Sequence, residues 1–141
     1  MNIDVRMIES NETAEIFITA TPTINLSIKE QVEEVFYSIK NILKETNESI
    51  FEERIFSTED VIQTITQIRQ NIYADLDDGV NPTRLIVSKG MYGRFSGVQV
   101  HGVNNHKKPI ILYSGGNACG RVVSCDDKKY ISYWKSVYKE F

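Results

Sequence analysis

One segment limits the choice of fold more than any other. Between Ile28 and Glu45, Val32, Val35, Phe36, Ile39, Ile42 and Leu43 recur at the 3.6-residue spacing of a helix. Lys29, Glu33, Glu34, Lys40 and Lys44 occupy the other side. Ser27 stands three residues before Glu30, the spacing of a capping box that closes two free backbone N–H groups. A helix from about Ser27 to Glu45 is therefore predicted, apolar on one side only. Such a helix must cover something, and its flanks say what. Ile3, Val5 and Met7 alternate with Asp4 and Arg6, and Ala14 to Ala20 is apolar and rich in β-branched residues. With Ser10-Asn11-Glu12 as the turn, these two segments read as a hairpin ended by Pro22.

Downstream, Ile50 to Phe56 is a strand candidate weakened by Glu52, Glu53 and Arg54. Ser57 is a candidate cap for a second helix striped by Val61, Ile62, Ile65, Ile68 and Ile72. These β-branched residues have middling helix propensity, so that helix leans on packing. Asp75 to Pro82 is rich in turn formers. Arg84 to Lys89 reads as a strand, Gly90 to Gly97 as a loop, and Gly97 to Val103 as another strand. The order ββαβαββ predicts an α+β domain, a mixed sheet with both helices on one face. It occupies residues 1–104. Residues 105–141 are a C-terminal β extension packed on the same domain. There, Pro109 to Tyr113 is an apolar strand, and Arg121 to Cys125 and Tyr130 to Trp134 flank a turn at Asp126 to Lys129. They form an extra hairpin, with Tyr138 among its aromatics. That extension is expected to lengthen the sheet edge or to cover a surface shared between copies.

Composition narrows the function classes. At 141 residues, 41% hydrophobic and 25% charged, the chain has the size and polarity of an ordinary domain. It holds no uncharged apolar run of about 18 residues, and its first ten residues carry Asp4, Arg6 and Glu9. A cytoplasmic protein is expected. The net charge of -3 argues against a nucleic-acid surface. Lys107-Lys108 and Lys128-Lys129 are pairs suited to keeping turns solvated. Cys119 and Cys125 fall six apart on a strand, about 20 Å at about 3.3 Å per residue. A disulfide needs Cα atoms within about 7 Å, so both are expected free. His101 and His106 lie outside any zinc spacing, and no metal or cofactor is expected.

No motif announces a reaction. Gly115-Gly116 lacks the helix and Lys of a phosphate loop, and GxSxG and HExxH are absent. The scattered carboxylates read as solvated surface. Asn81-Pro82-Thr83-Arg84 is more informative. An Arg that opens a strand after an X-Pro turn is held rigidly and can grip a carboxylate with two hydrogen bonds. By position alone it reads rather as an ordinary surface cation.

Residues 14–103, about two-thirds of the chain, resemble the Rid family of reactive intermediate deaminases, whose fold is chorismate mutase-like. Thr19-Ala20-Thr21-Pro22 stands where that family has Ser-Gly-Gln and Pro. Glu30-Gln31 through Ile42-Leu43 resembles its first helix. Asn81-Pro82-Thr83-Arg84 is similar to its Pro-Ala-Arg, and Val98-Gln99-Val100-His101-Gly102-Val103 to its Ile-Glu-Ile-Glu-Ala-Val strand. The resemblance implies a homotrimer with clefts between subunits. Arg84 would bind the carboxylate of a small metabolite, and Thr19 would keep the family's hydroxyl. Gln99 takes the place of the Glu that positions water to hydrolyse an enamine or imine. An amide lacks the carboxylate's basicity, so the resemblance implies weakened or lost deaminase activity. His101, two residues on and on the same strand face, is a candidate base, though it reads more readily as a partly exposed polar residue. The family's Gly-Pro-Tyr has no counterpart, and Gln70 or Asn71 is the candidate for its Asn. Two other readings stand beside this one. One is a non-catalytic regulatory or assembly scaffold of the same fold. The other is a relative of chorismatases, suggested by the hairpin-like rhythm of Gly120 to Trp134. The family's ribonuclease activity fits least, given the acidic charge.

Overall fold

A computed structural model describes residues 1–10, 12–88, 93–125 and 128–133. Asn11 of the expected first turn, Lys89 and the start of the loop from Gly90, Asp126-Asp127, Trp134 and Tyr138 lie outside the described residues.

The chain is α+β. In order it forms β1 (Asn2–Glu9), β2 (Ala14–Thr21), α1 (Ile28–Thr46), β3 (Ser49–Ser57), α2 (Ile62–Tyr73), β4 (Thr83–Ile86), β5 (Phe95–Asn104), β6 (Ile110–Ser114), β7 (Asn117–Cys125) and β8 (Lys128–Tyr133). The first seven follow the ββαβαββ order. They build a five-stranded mixed sheet, β1-β2-β5-β3-β4. β5 runs antiparallel to both β2 and β3, and β4 is parallel to β3.

The capping box forms as its spacing predicts. Glu30 N–H donates to Ser27 Oγ at 3.2 Å, and Ser27 N–H to Glu30 Oε1 at 3.4 Å. Asn47 ends α1 in the left-handed conformation at φ 54°, its N–H reaching the Leu43 and Lys44 carbonyls. The second cap falls elsewhere. Ser57 remains in β3, fully buried, and its hydroxyl donates to the Thr58 carbonyl at 3.0 Å. α2 starts at Ile62 without a side-chain cap, so packing carries it.

α1 lies on one face of the sheet, against β2 and β5, and packs on α2. Ile16, Ile18 and Ala20 of β2 meet Val98 and Val100 of β5 and Ile50 and Ile55 of β3 beneath Val32, Val35, Phe36 and Ile39. Phe36 packs edge-on to Tyr73 with ring centroids 5.4 Å apart. Gly102 lets the end of α1 approach. A Cβ there would come within 2.7 Å of Ile16 Cγ2 and 3.3 Å of Leu43 Cδ2.

A charged pair sits in this core. Glu53 of β3, 2% exposed, accepts from Arg69 Nε of α2 at 2.5 Å and from Tyr73 Oη at 2.6 Å. Arg69 lies 4.7 Å from the Tyr73 ring centroid. Burial first, and then the Glu53 charge, holds the Tyr73 phenol protonated well above its usual range.

The C-terminal extension does not lengthen the first sheet. β6, β7 and β8 form a separate antiparallel sheet of three strands, in which β7 and β8 pair as the expected hairpin and β6 adds to the other edge of β7. It closes over one end of the first sheet's other face. Arg121 of β7, 3% exposed, donates from Nε and Nη2 to the two Asp78 oxygens at 2.5 and 2.9 Å, and from Nη1 to the Phe51 carbonyl at 3.1 Å. Val123, two residues on, is buried beside it, and Asn105 donates to the Ser124 carbonyl at 2.5 Å. Cys119 and Cys125 are both on β7, as free thiols.

Removing one partner of a buried ion pair costs about 3–5 kcal/mol, whereas removing both costs far less. Glu53→Leu is therefore expected to lose stability on that scale in urea unfolding. Glu53→Leu combined with Arg69→Met is expected to regain most of it.

Candidate functional site

The helices leave the other face of the first sheet open over much of its area. Strand alternation sorts the side chains. Helix-facing residues 16, 18 and 20 of β2 leave Glu15, Phe17 and Thr19 pointing the other way. Register aligns these with β5 and β3. Thr19 lies opposite Gln99, which lies opposite Arg54. Phe17 lies opposite His101, which lies opposite Glu52. A β-bulge between Ile50 and Glu52 sets the parity of β3.

Thr19, Gln99 and Arg54 are exposed, and they form a polar row across three strands. With Phe17, Glu52 and His101 they line a cleft of about 340 Å³. Arg54 Nη2 pairs with Glu52 at 2.6 Å. His101 is half-buried, stacked on Phe17 at 4.3 Å and edge-on to Phe51 at 5.4 Å. Its Nε2 lies 2.9 Å from Glu15 Oε1.

Three of the four residues singled out from the sequence therefore share this face: Thr19, Gln99 and His101. Arg84 does not join them. It is exposed on β4, beyond β3, and level with Ile55, whose side chain enters the helix-side core. Gln70 and Asn71 are exposed on α2, in the helix layer. The guanidinium in the cleft belongs to Arg54, which the sequence reading counted only against a strand. Its alternation with Glu52 was a usable signal, masked by the charge of Glu53 between them. Among the described residues no three His, Cys, Asp or Glu side chains converge as a metal site would require. No helix among them is long and apolar enough to cross a membrane.

A second carboxylate stands apart from this row. Glu48, at the corner between α1 and β3, is 4% exposed, and among the described residues neither of its buried carboxyl oxygens has a hydrogen-bond partner. Burial first, and then the Glu15 charge, raises its pKa from 4.5 to about 7.

A scan against protein-family models finds no match for this chain, and a search of curated proteins finds no relative.

Glu48 gives a pH prediction of definite sign. Between pH 4.5 and about 7 the unfolded chain has released this proton and the folded chain retains it. Stability from this group therefore falls as pH rises through that window. Thermal unfolding of Glu48→Gln beside the unaltered chain is expected to show a difference in Tm that grows in favour of the variant from pH 4.5 to 7.5. A constant difference would contradict a retained proton.

Proposed function

We propose that the chain binds a small carboxylate-bearing metabolite on the open face of its first sheet, in a cleft completed by further copies of the chain, as in the Rid family that it resembles. The observation that carries this reading is the exposed row Thr19-Gln99-Arg54. A hydroxyl, an amide and a guanidinium on adjacent strands supply donors for a carboxylate in one line, and a guanidinium can engage both carboxylate oxygens. Arg54 is the anchor from within the chain. Arg84, exposed on the edge strand, is then a donor to a neighbouring copy's cleft rather than to its own.

Catalysis is the weaker half of the proposal. Imine hydrolysis adds water across C=N and releases ammonia, which requires a group to take the water's proton. Gln99 orients water but does not accept a proton at neutral pH. His101 is engaged by Glu15 on one ring nitrogen. The Arg54–Glu52 pair favours a second reading, a non-catalytic scaffold of the same fold, since a ligand must compete with Glu52 for the guanidinium.

Titration with pyruvate or 2-oxobutyrate, followed by amide NMR shifts, separates the two. Binding is expected to perturb Thr19, Gln99 and Arg54. Arg54→Ala is expected to weaken it about tenfold or more, about 1.4 kcal/mol. Decay of an amino-acid-derived imine is expected to stay within a few-fold of the buffer blank, and Gln99→Glu to raise it. Absence of any shift at the row, with decay equal to the blank in both forms, would leave the scaffold.

A further inference from the structure

The second sheet and the covered end of the first form between them a half-open pocket of about 280 Å³, next to the cleft just described and separate from its polar row. His101 stands in the wall between the two. Phe51 and Val103 from the first sheet and Val123 and Tyr130 from the second supply apolar walls. Glu15 stands at one side, beside Cys125 and the hydroxyls of Ser10 and Thr13.

Four features select a ligand. The volume falls at the small end of ligand pockets, which span about 300–1,000 Å³. It suits one ring with a short side chain. The described lining contains neither Lys nor Arg, and its one basic side chain, His101, is already engaged by Glu15. Glu15 instead offers a carboxylate 39% exposed at its side chain, with Oε1 on His101 and Oε2 without a hydrogen-bond partner among the described residues. Phe51 and Tyr130 present aromatic surfaces to which a cation is drawn.

We infer that this inter-sheet cavity is a second binding site, for a small aromatic amine whose ring packs among Phe51, Val123 and Tyr130 and whose ammonium meets Glu15. The site depends on the C-terminal sheet, so it assigns a role to that extension which the first sheet alone does not require. It is distinct from the polar row of the carboxylate cleft, since none of Thr19, Gln99 or Arg54 lines it, while His101 borders both.

The test uses the full chain and three matched probes: phenethylamine, 2-phenylethanol and phenylacetate. Cys125 provides a native reporter, read as its alkylation rate in a Cys119→Ser background. Phenethylamine is expected to slow alkylation at least fivefold at saturation and to shift the Glu15, Val103 and Val123 amides. Phenylacetate is expected to do neither. Glu15→Gln is expected to weaken phenethylamine about tenfold while leaving 2-phenylethanol and pyruvate binding unchanged. Equal protection by phenylacetate, undiminished amine binding in Glu15→Gln, or the lack of both protection and shifts would overturn the inference. The amide shifts need no variant, so a poorly folded substitution does not remove the test.

Discussion

Glu53 is charged, buried and fixed to Arg69, and the side on which β3 shows each residue follows from that pair. A one-residue slip in a strand exchanges its two faces. With Glu53 drawn inward to α2, Glu52 and Arg54 must point outward, and Ile55 must join the core. The pair thus sets two things together. It ties α2 to the sheet, and it delivers a guanidinium to the exposed row beside Gln99 and Thr19. Such a pair gains little net stability over apolar residues of the same shape. Its more evident effect here is on register.

The other face is divided by the second sheet. Arg121 reaches Asp78 and the Phe51 carbonyl, and so draws β7 down over Phe51 and Val103. What remains uncovered is the polar row and the cleft around it. His101 stands at the boundary, with Phe17 on the cleft side and Glu15 on the cavity side. A sheet closed by helices on one side and partly by strands on the other leaves this polar strip exposed among the described residues, and the proposed function lies there.

Much of the fold was legible because its signals are local. The capping box at Ser27 and Glu30, the stripe of α1 and the alternation of β1 and β2 each act within a few residues. Ser57 misled because a cap is recognised by residue type, whereas its strand pairing with Phe95 is set from 38 residues away. Glu53 looked like a break in a strand because its partners, Arg69 and Tyr73, lie on another element. The site was half legible. Thr19, Gln99 and His101 share a face through strand alternation and pairing. Arg84 falls outside because the sheet order places β3 between β4 and β5, which no local pattern encodes. The extension read as strands correctly, but Arg121's grip on Asp78, across 43 residues of sequence, decided where they lie.

The claim that the open face is completed by other copies of the chain is tested most directly by the mass of the intact protein in solution. The chain is 16.2 kDa. Sedimentation equilibrium at micromolar concentration is expected to return about three times that value. A species of 16.2 kDa at every concentration would contradict the account.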